Sequence, residues 1–266
     1  MKAQELRDHF RGKAPWVDWD GQTVDQFLHG DPSVEVRGIA VGWILTAGMA
    51  RQAAAGGANV FVTHEPIFYD GYWRLGGTRR RLGRAQAEKR RLLDRLGLTV
   101  LRCHDTWDRF PKVGIPDAWA AWLGLGTYRR AKGRFYGRIA LAPTTARALG
   151  RRVLRRVRPL GQQHVEVFGG RTRVASLCVG TGAITSLADM IEQVRADCYL
   201  VTNDGSNAWT TEHHATDRGI PLLRVDHATA ELPGMMALAA YLGRAFPQVR
   251  TTYVPYACPY ELLGGS

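Results

Sequence analysis

The sequence predicts an α/β protein built as two pseudo-repeated lobes with mostly parallel sheets, and three observations predict it. Strand-like and helix-like segments alternate along the chain. The second half repeats the order of the first. Four of the predicted strands end in imidazole or carboxylate side chains, the place where open α/β sheets bind their ligands.

The elements follow in order. "MKAQELRDHFRGK" reads as an amphipathic helix; no long apolar stretch follows its cation, so it is not a secretory signal. "VRGIAVGWI" (36–44) reads as a strand, "TAGMARQAAAGGA" as a helix running into a glycine stop, and "NVFVT" as a second strand of β-branched and aromatic residues. A glycine-rich loop (Gly71, Gly76, Gly77) and a basic helix near 79–95 come next. "LTVLRC" (98–103) is a third strand and "PDAWAAWLGL" a helix. "RRAKGRFYGRIALAP" has strand character, and "TTARALGRRVLRRVR" reads as a basic helix.

The repetition starts at "RVASLCVGTGAITSLADMIEQVRADCYLVTND" (173–204), whose "LVTND" echoes "FVTHE". Gly97 is matched by Gly219, Leu101-Arg102 by Leu223-Arg224, Pro116 by Pro233, and a helix ending A-A-[WY]-L-G occurs in both halves. The expected organisation is a single two-lobed domain over 1–266: lobe one about 1–125, a joining basic segment about 126–172, and lobe two about 173–266.

Composition narrows the function classes. Hydrophobic residues make up 45% and charged residues 23%, ordinary values for a globular protein with a real core. No apolar run is long enough for a membrane span. The four cysteines show no C-x-x-C spacing, and three lie in apolar runs, so reduced thiols and a cytoplasmic location are expected. The net charge of +12 is concentrated: residues 74–95 carry nine Lys/Arg against two acids, and residues 127–160 carry eleven and no acid. The rest of the chain is net negative. A localised excess of this kind suits a phosphate-bearing substrate or a polyanion, and equally a solvated arginine-rich helix face.

The four strand ends carry His64-Glu65, His104-Asp105 with Asp108 behind, Asn203-Asp204, and Asp226-His227 with Glu231 behind. Imidazoles with carboxylates and no thiolate cluster suit divalent ions such as Zn, Fe, Mn or Co. The set exceeds what one tetrahedral ion needs, which points to two ions in a metal site between the lobes, at the strand carboxyl ends. Plainer readings exist for each residue alone. A strand-end histidine is often a hydrogen-bonded loop residue, Asp108 suits a helix cap or turn, and Glu231 complements a helix N-terminus. His9, His29 and His164 fit no cluster and read as structural. His213-His214 lie in a polar loop. "GTGAIT" (180–185) is a glycine turn before a helix that lacks the Lys-Ser/Thr of a P-loop.

The ordered motifs "HGDPSVEVRGIAV", "GANVFVTHEP", "CHDTWDRFPKVGIPDAWAAWLGL", "CVGTGAI" and "DHATAELPGMMALAAYL" resemble the NGG-interacting-factor-three-like dinuclear-metal-centre family, often labelled type 2 GTP cyclohydrolase I. The resemblance covers roughly residues 25 to 245. It implies two divalent ions per chain held by His64, Glu65, Asp108, His227 and Glu231, with Glu231 a candidate bridge, and a homohexamer. The family's His-His-Pro is here His64-Glu65-Pro66, and its Gly-Glu with a nearby His becomes "TNDGSNAWTTEHH", where Asn203, Asp204 or His213 would stand in.

Two working classes follow. The first is a metal-dependent hydrolase of the cyclohydrolase or phosphoesterase type, acting on a nucleotide or other phosphate-bearing small molecule, with His104 a candidate either to support a metal ligand from behind or to transfer a proton. The second is a non-catalytic metal-loaded adaptor or nucleic-acid-binding hexamer. A chain with a degraded site and a structural role is the third and plainest possibility.

Overall fold

A computed structural model describes residues 1–69, 82–131 and 134–263. The glycine-rich loop at Gly71, Gly76 and Gly77 and the first residues of the expected basic helix, 79–81, lie outside the described residues. The chain divides into two compact units. The first comprises Met1–Phe110 and Met235–Tyr256, the second Pro111–Gly234 and Ala257–Ser266.

The first unit holds a five-stranded sheet in the order β1-β4-β3-β2-β11. Strands β2 (Gly38–Gly42), β3 (Val60–Thr63) and β4 (Thr99–Arg102) run parallel and are buried at every residue. That burial on both faces is why they read as continuous apolar runs rather than alternating ones. The helix between β2 and β3, Ala47–Ala55, starts where Thr46 Oγ1 accepts from Met49 N at 3.2 Å and ends at Gly56. The helix before β4, Gly83–Leu96, buries Leu92 and Leu93 and stops at Gly97 in the left-handed region. Phe61, Leu45, Met49 and Leu93 meet in the core beneath these helices. Two edge strands complete the sheet: β1 (Phe27–His29) antiparallel on β4, and β11 (Arg250–Tyr253) parallel beside β2.

The second unit repeats this scheme within a six-stranded sheet ordered β5-β6-β8-β9-β10-β7. Strands β8 (Arg173–Val179), β9 (Cys198–Thr202) and β10 (Leu222–Val225) run parallel, as β2, β3 and β4 do. Strand β7 (Glu166–Phe168) lies antiparallel on β10, the counterpart of β1 on β4. On the other side β8 meets β6 (Gly137–Thr145), followed by β5 (Tyr128–Arg129), both antiparallel. The arginine-rich helix Ala146–Val157 is capped by Thr145 and buries Leu149, Val153 and Val157 along one stripe.

The two halves differ after their third strand. In the first repeat a short helix, Asp105–Arg109, is followed by a separate helix Ile115–Leu123 with Pro116 in its first turn. In the second, one helix runs His227–Ala245 with Pro233 inside it. The repeated proline therefore starts a helix in one half and lies within one in the other. No helix among the described residues is long and apolar enough to cross a membrane.

Candidate metal centre

In the first unit the parallel pairing of β3 and β4 sets Thr63 opposite Arg102, so the residues following each strand meet. The rings of His64 and His104 stack with centroids 4.4 Å apart and planes 17° from parallel. His64 is fully buried. Its Nδ1 lies 3.2 Å from the carbonyl oxygen of Cys103. A carbonyl only accepts, so Nδ1 carries a proton, and in the neutral ring Nε2 holds the lone pair. That lone pair lies 3.4 Å from Asp108 Oδ1. Two acceptors so placed call for a shared proton or a shared cation.

The short helix Asp105–Arg109 brings Asp108 there. Its N-terminus is held by Asp25, whose buried carboxylate accepts from the backbone N–H groups of His104 (2.6 Å), Asp105 (2.9 Å) and Thr106 (2.8 Å). Burial raises the Asp25 pKa against the pull of those donors. Beneath the helix, Trp107 is fully buried and stacks on Phe110 at 4.7 Å. His104 Nδ1 lies 3.1 Å from Asp105 Oδ1 and 3.5 Å from Asp108 Oδ2. Burial opposes charge on this ring, but Asp108 and Asp105 outweigh it and lift its pKa to about 9. Asp105 responds in kind: burial works to raise its pKa, while the bonds from His104, Val24 N–H and the Thr23 hydroxyl bring it down to about 2.

One ligand atom from each of His64, His104 and Asp108 can be chosen so that all lie within 4.8 Å of one another, which fits a divalent ion. A tetrahedral ion with bonds of about 2.1 Å spaces its ligand atoms about 3.4 Å apart. The ligand atoms of Glu65 and His64 also lie within 4.8 Å of each other. Glu65 has a cation beside it: Arg102 donates from Nε to the carbonyl of His64 at 2.8 Å and approaches Glu65 Oε2 at 3.4 Å.

The second unit uses the same device. Val225 pairs with Thr202, so the residues after β10 and β9 meet. His227 Nδ1 lies 2.6 Å from Asp204 Oδ2, and its Nε2 lies 3.0 Å from Glu231 Oε2, one helical turn on. Asn203 Oδ1 accepts from the backbone N–H groups of both His227 (3.0 Å) and Asp204 (3.1 Å). Asp204 thus fixes the imidazole, as a carboxylate behind a metal-binding histidine does. Burial opposes the charge on His227; Glu231 and Asp204 prevail, and its pKa rises to about 11. Each unit therefore offers a histidine and a carboxylate four residues later, His104 with Asp108 and His227 with Glu231, just after a parallel strand.

The "GTGAIT" turn has its place here. Gly182 adopts φ +69°, and a Cβ on it would lie 2.9 Å from Glu231 Oε1 and 3.4 Å from His227 Nε2. Its carbonyl accepts from Thr202 Oγ1 at 2.5 Å and Thr185 Oγ1 at 3.2 Å, pinning the turn against the end of β9. The glycine is required by close packing on the His227–Glu231 pair.

The expected site residues are thus gathered within their own units: His64, Glu65, His104 and Asp108 in the first, His227 and Glu231 in the second. Of the candidates in the altered third loop, Asn203 and Asp204 take part, while His213 is exposed. His9, His29 and His164 stand outside, His9 against Tyr241 at 2.8 Å and His29 against Asp94 at 3.1 Å. Sequence reasoning missed Asp25, which no motif marks. It saw Arg102 only as a repeated letter.

An α/β fold of two sheets with imidazole–carboxylate clusters at parallel strand ends defines a candidate metal-binding protein. The chain belongs to the Duf34/NIF3 (NGG1p interacting factor 3) family, whose profile matches residues 1–258. A GTP cyclohydrolase 1 type 2 homolog of Chlamydia pneumoniae is 25% identical over 255 residues, 87% of this chain and 88% of that one. Among solved structures, a Bacillus cereus protein related to NIF3 superposes with a TM-score of 0.80 at 12% identity, over 99% of both chains. Reduced HcgD from Methanocaldococcus jannaschii does so at 0.70 and 16%, over 96% of this chain and 98% of that one.

Proposed function

We propose that this protein is a divalent-metal-dependent hydrolase acting on a nucleotide or another phosphate-bearing small molecule. Two ions per chain, Zn, Fe or Mn, would be held by His64, Glu65 and Asp108 on the first unit and His227 and Glu231 on the second. The observation that carries this reading is the grouping of ligand atoms from His64, His104 and Asp108 within 4.8 Å of one another, with the two imidazoles stacked. Bound divalent ions would polarise the scissile bond and acidify a water.

The chain's own residues supply the rest. Arg102 compensates the negative charge that Glu65 adds where the family pattern has a second histidine. The carboxylate at this position favours harder ions such as Mn over a site of imidazoles alone. His104, held between Asp105 and Asp108, would be the proton-transfer group. Asp204 holds the imidazole of His227 in one orientation. The three buried cysteines are unpaired thiols, in keeping with a reducing cytoplasm. The homohexamer is carried over from the family resemblance.

The test is chelation followed by readdition of single metals while hydrolysis of nucleotides and phosphoesters is followed. Activity that vanishes and returns with one metal supports the reading. Rates indifferent to metal, with Asp108→Ala as active as wild type, sink it. A second reading, a metal-loaded nucleic-acid-binding adaptor, is favoured by the five arginines on the helix Ala146–Val157. It expects binding that weakens steeply with salt and survives Asp108→Ala.

A further inference from the structure

The helix Ala146–Val157 carries five arginines and no acid. Three of them, Arg152, Arg155 and Arg156, line a cavity of about 300 Å³ with Gly124 and Leu125, the turn that ends the helix Ile115–Leu123. Two of the guanidiniums are anchored. Arg152 Nη2 donates to the Leu125 carbonyl at 3.2 Å, and Arg156 Nε donates to the Leu123 carbonyl at 3.0 Å. The indole N–H of Trp122 returns a bond to the Arg156 carbonyl at 2.8 Å. Gly124 has φ +56°, and a Cβ there would lie 2.8 Å from Arg156 Nη2. Any side chain at 124 would strain the turn and push that guanidinium away.

Cations on the carbonyls that end a helix are an ordinary cap. Capping accounts for Arg152 and Arg156. It does not account for Arg155, which lines the same cavity and has neither a hydrogen-bond nor an ionic partner among the described residues.

We propose that Arg152, Arg155 and Arg156 form a binding site for the phosphate group of a small molecule. Each anchored guanidinium retains N–H donors beyond the one its carbonyl takes, and Arg155 retains all of its own. A tetrahedral anion satisfies them through paired, charge-assisted bonds and relieves the mutual repulsion of three clustered cations. A nucleic-acid backbone is bound along an extended basic track. An open depression of about 300 Å³ lined by three cations suits a compact anion of phosphate or diphosphate size. The site is argued without reference to the metal ligands, so it stands even if the hydrolase reading fails.

The experiment is calorimetric titration of the full chain with inorganic pyrophosphate at moderate salt, for wild type, Arg155→Ala and the double variant Arg152→Lys/Arg156→Lys. A ten-nucleotide single strand serves as the second ligand. Saturable pyrophosphate binding is expected, weakened at least about tenfold by Arg155→Ala, as removal of a charged hydrogen-bond donor implies. The melting temperature of Arg155→Ala should stay at the wild-type value, because Arg155 is exposed and makes no hydrogen bond or ion pair among the described residues. The lysine pair keeps the charge but loses the bidentate geometry, so it should also bind more weakly. No saturable binding, or equal binding by Arg155→Ala, overturns the proposal. It is also overturned if the oligonucleotide binds in an Arg155-dependent way while pyrophosphate neither binds nor competes.

Discussion

At the scale of single residues, the site is a set of charges held in check by neighbours. Arg102 restrains Glu65. Replacing it by methionine, of similar length and no charge, leaves that carboxylate with one cation partner fewer in a buried setting. Two effects are expected from Arg102→Met. The metal-free protein should lose about 3–5 kcal/mol of stability, the usual consequence of breaking a buried pair from one side. Its affinity for a divalent ion should rise by about tenfold, since a bound metal then restores the missing positive charge. Chelator competition and thermal melts with and without metal measure both; weaker metal binding in the variant would show that Arg102 aids the site instead.

The histidines carry a pH signature. The His104 pKa is raised from the ordinary 6.5 to about 9 in the metal-free fold. A raised pKa means the folded state binds this proton more tightly than the unfolded chain does. The resulting stabilisation is complete below about pH 6.5 and is lost as pH climbs through about 9. Melting temperature of metal-free protein should fall across that window, and the fall should shrink in His104→Gln. An unchanged slope in the variant would mean that the proton sits elsewhere. Asp25 was invisible in the sequence because nothing local distinguishes it from other loop acids. Its role arises only when β1 and the turn before it lie against the residues that follow β4.

Among the elements, the turn at 180–185 is the most exposed to a single change. Gly182→Ala puts a Cβ within 2.9 Å of a Glu231 oxygen in a backbone conformation that side chains rarely adopt. A penalty of about 1–2 kcal/mol is expected from the left-handed region alone, with metal affinity at His227 and Glu231 reduced as the carboxylate is displaced. Denaturant melts and metal titration of the variant test this; wild-type metal affinity would show that the turn merely fills space. The sequence marks this turn by its glycines, and the missing Lys-Ser/Thr separates it from a P-loop. Its function is packing, which depends on a helix some 45 residues further along the chain.

The buried parallel strands were legible because two-sided burial writes itself as an apolar run, and the helices because caps and glycine stops bracket them. Strands β1 and β7 were not legible. Each is three residues long, too short for any period to register. Pairing of Tyr253 with Val41 could not be read, because parallel register across some 200 residues leaves no local mark.

For the molecule as a whole, the internal repeat is the organising fact. The same parallel trio with an antiparallel neighbour on its third strand occurs in each unit, and each delivers a histidine and a carboxylate one helical turn apart. The letters of the repeat showed this dimly, since spacings drift by a residue and Pro233 occupies a different part of its helix from Pro116. The chemistry proposed rests on His64, Glu65 and Asp108 in the first unit and His227 and Glu231 in the second holding metal. The most direct measurement is the divalent-metal content per chain of protein purified without chelator or affinity tag, by elemental analysis, beside Asp108→Ala and Glu231→Ala. The expected result is about two ions per chain in the wild type, falling in each variant. Wild-type protein with almost no metal, and no uptake when metal is supplied, would contradict the account.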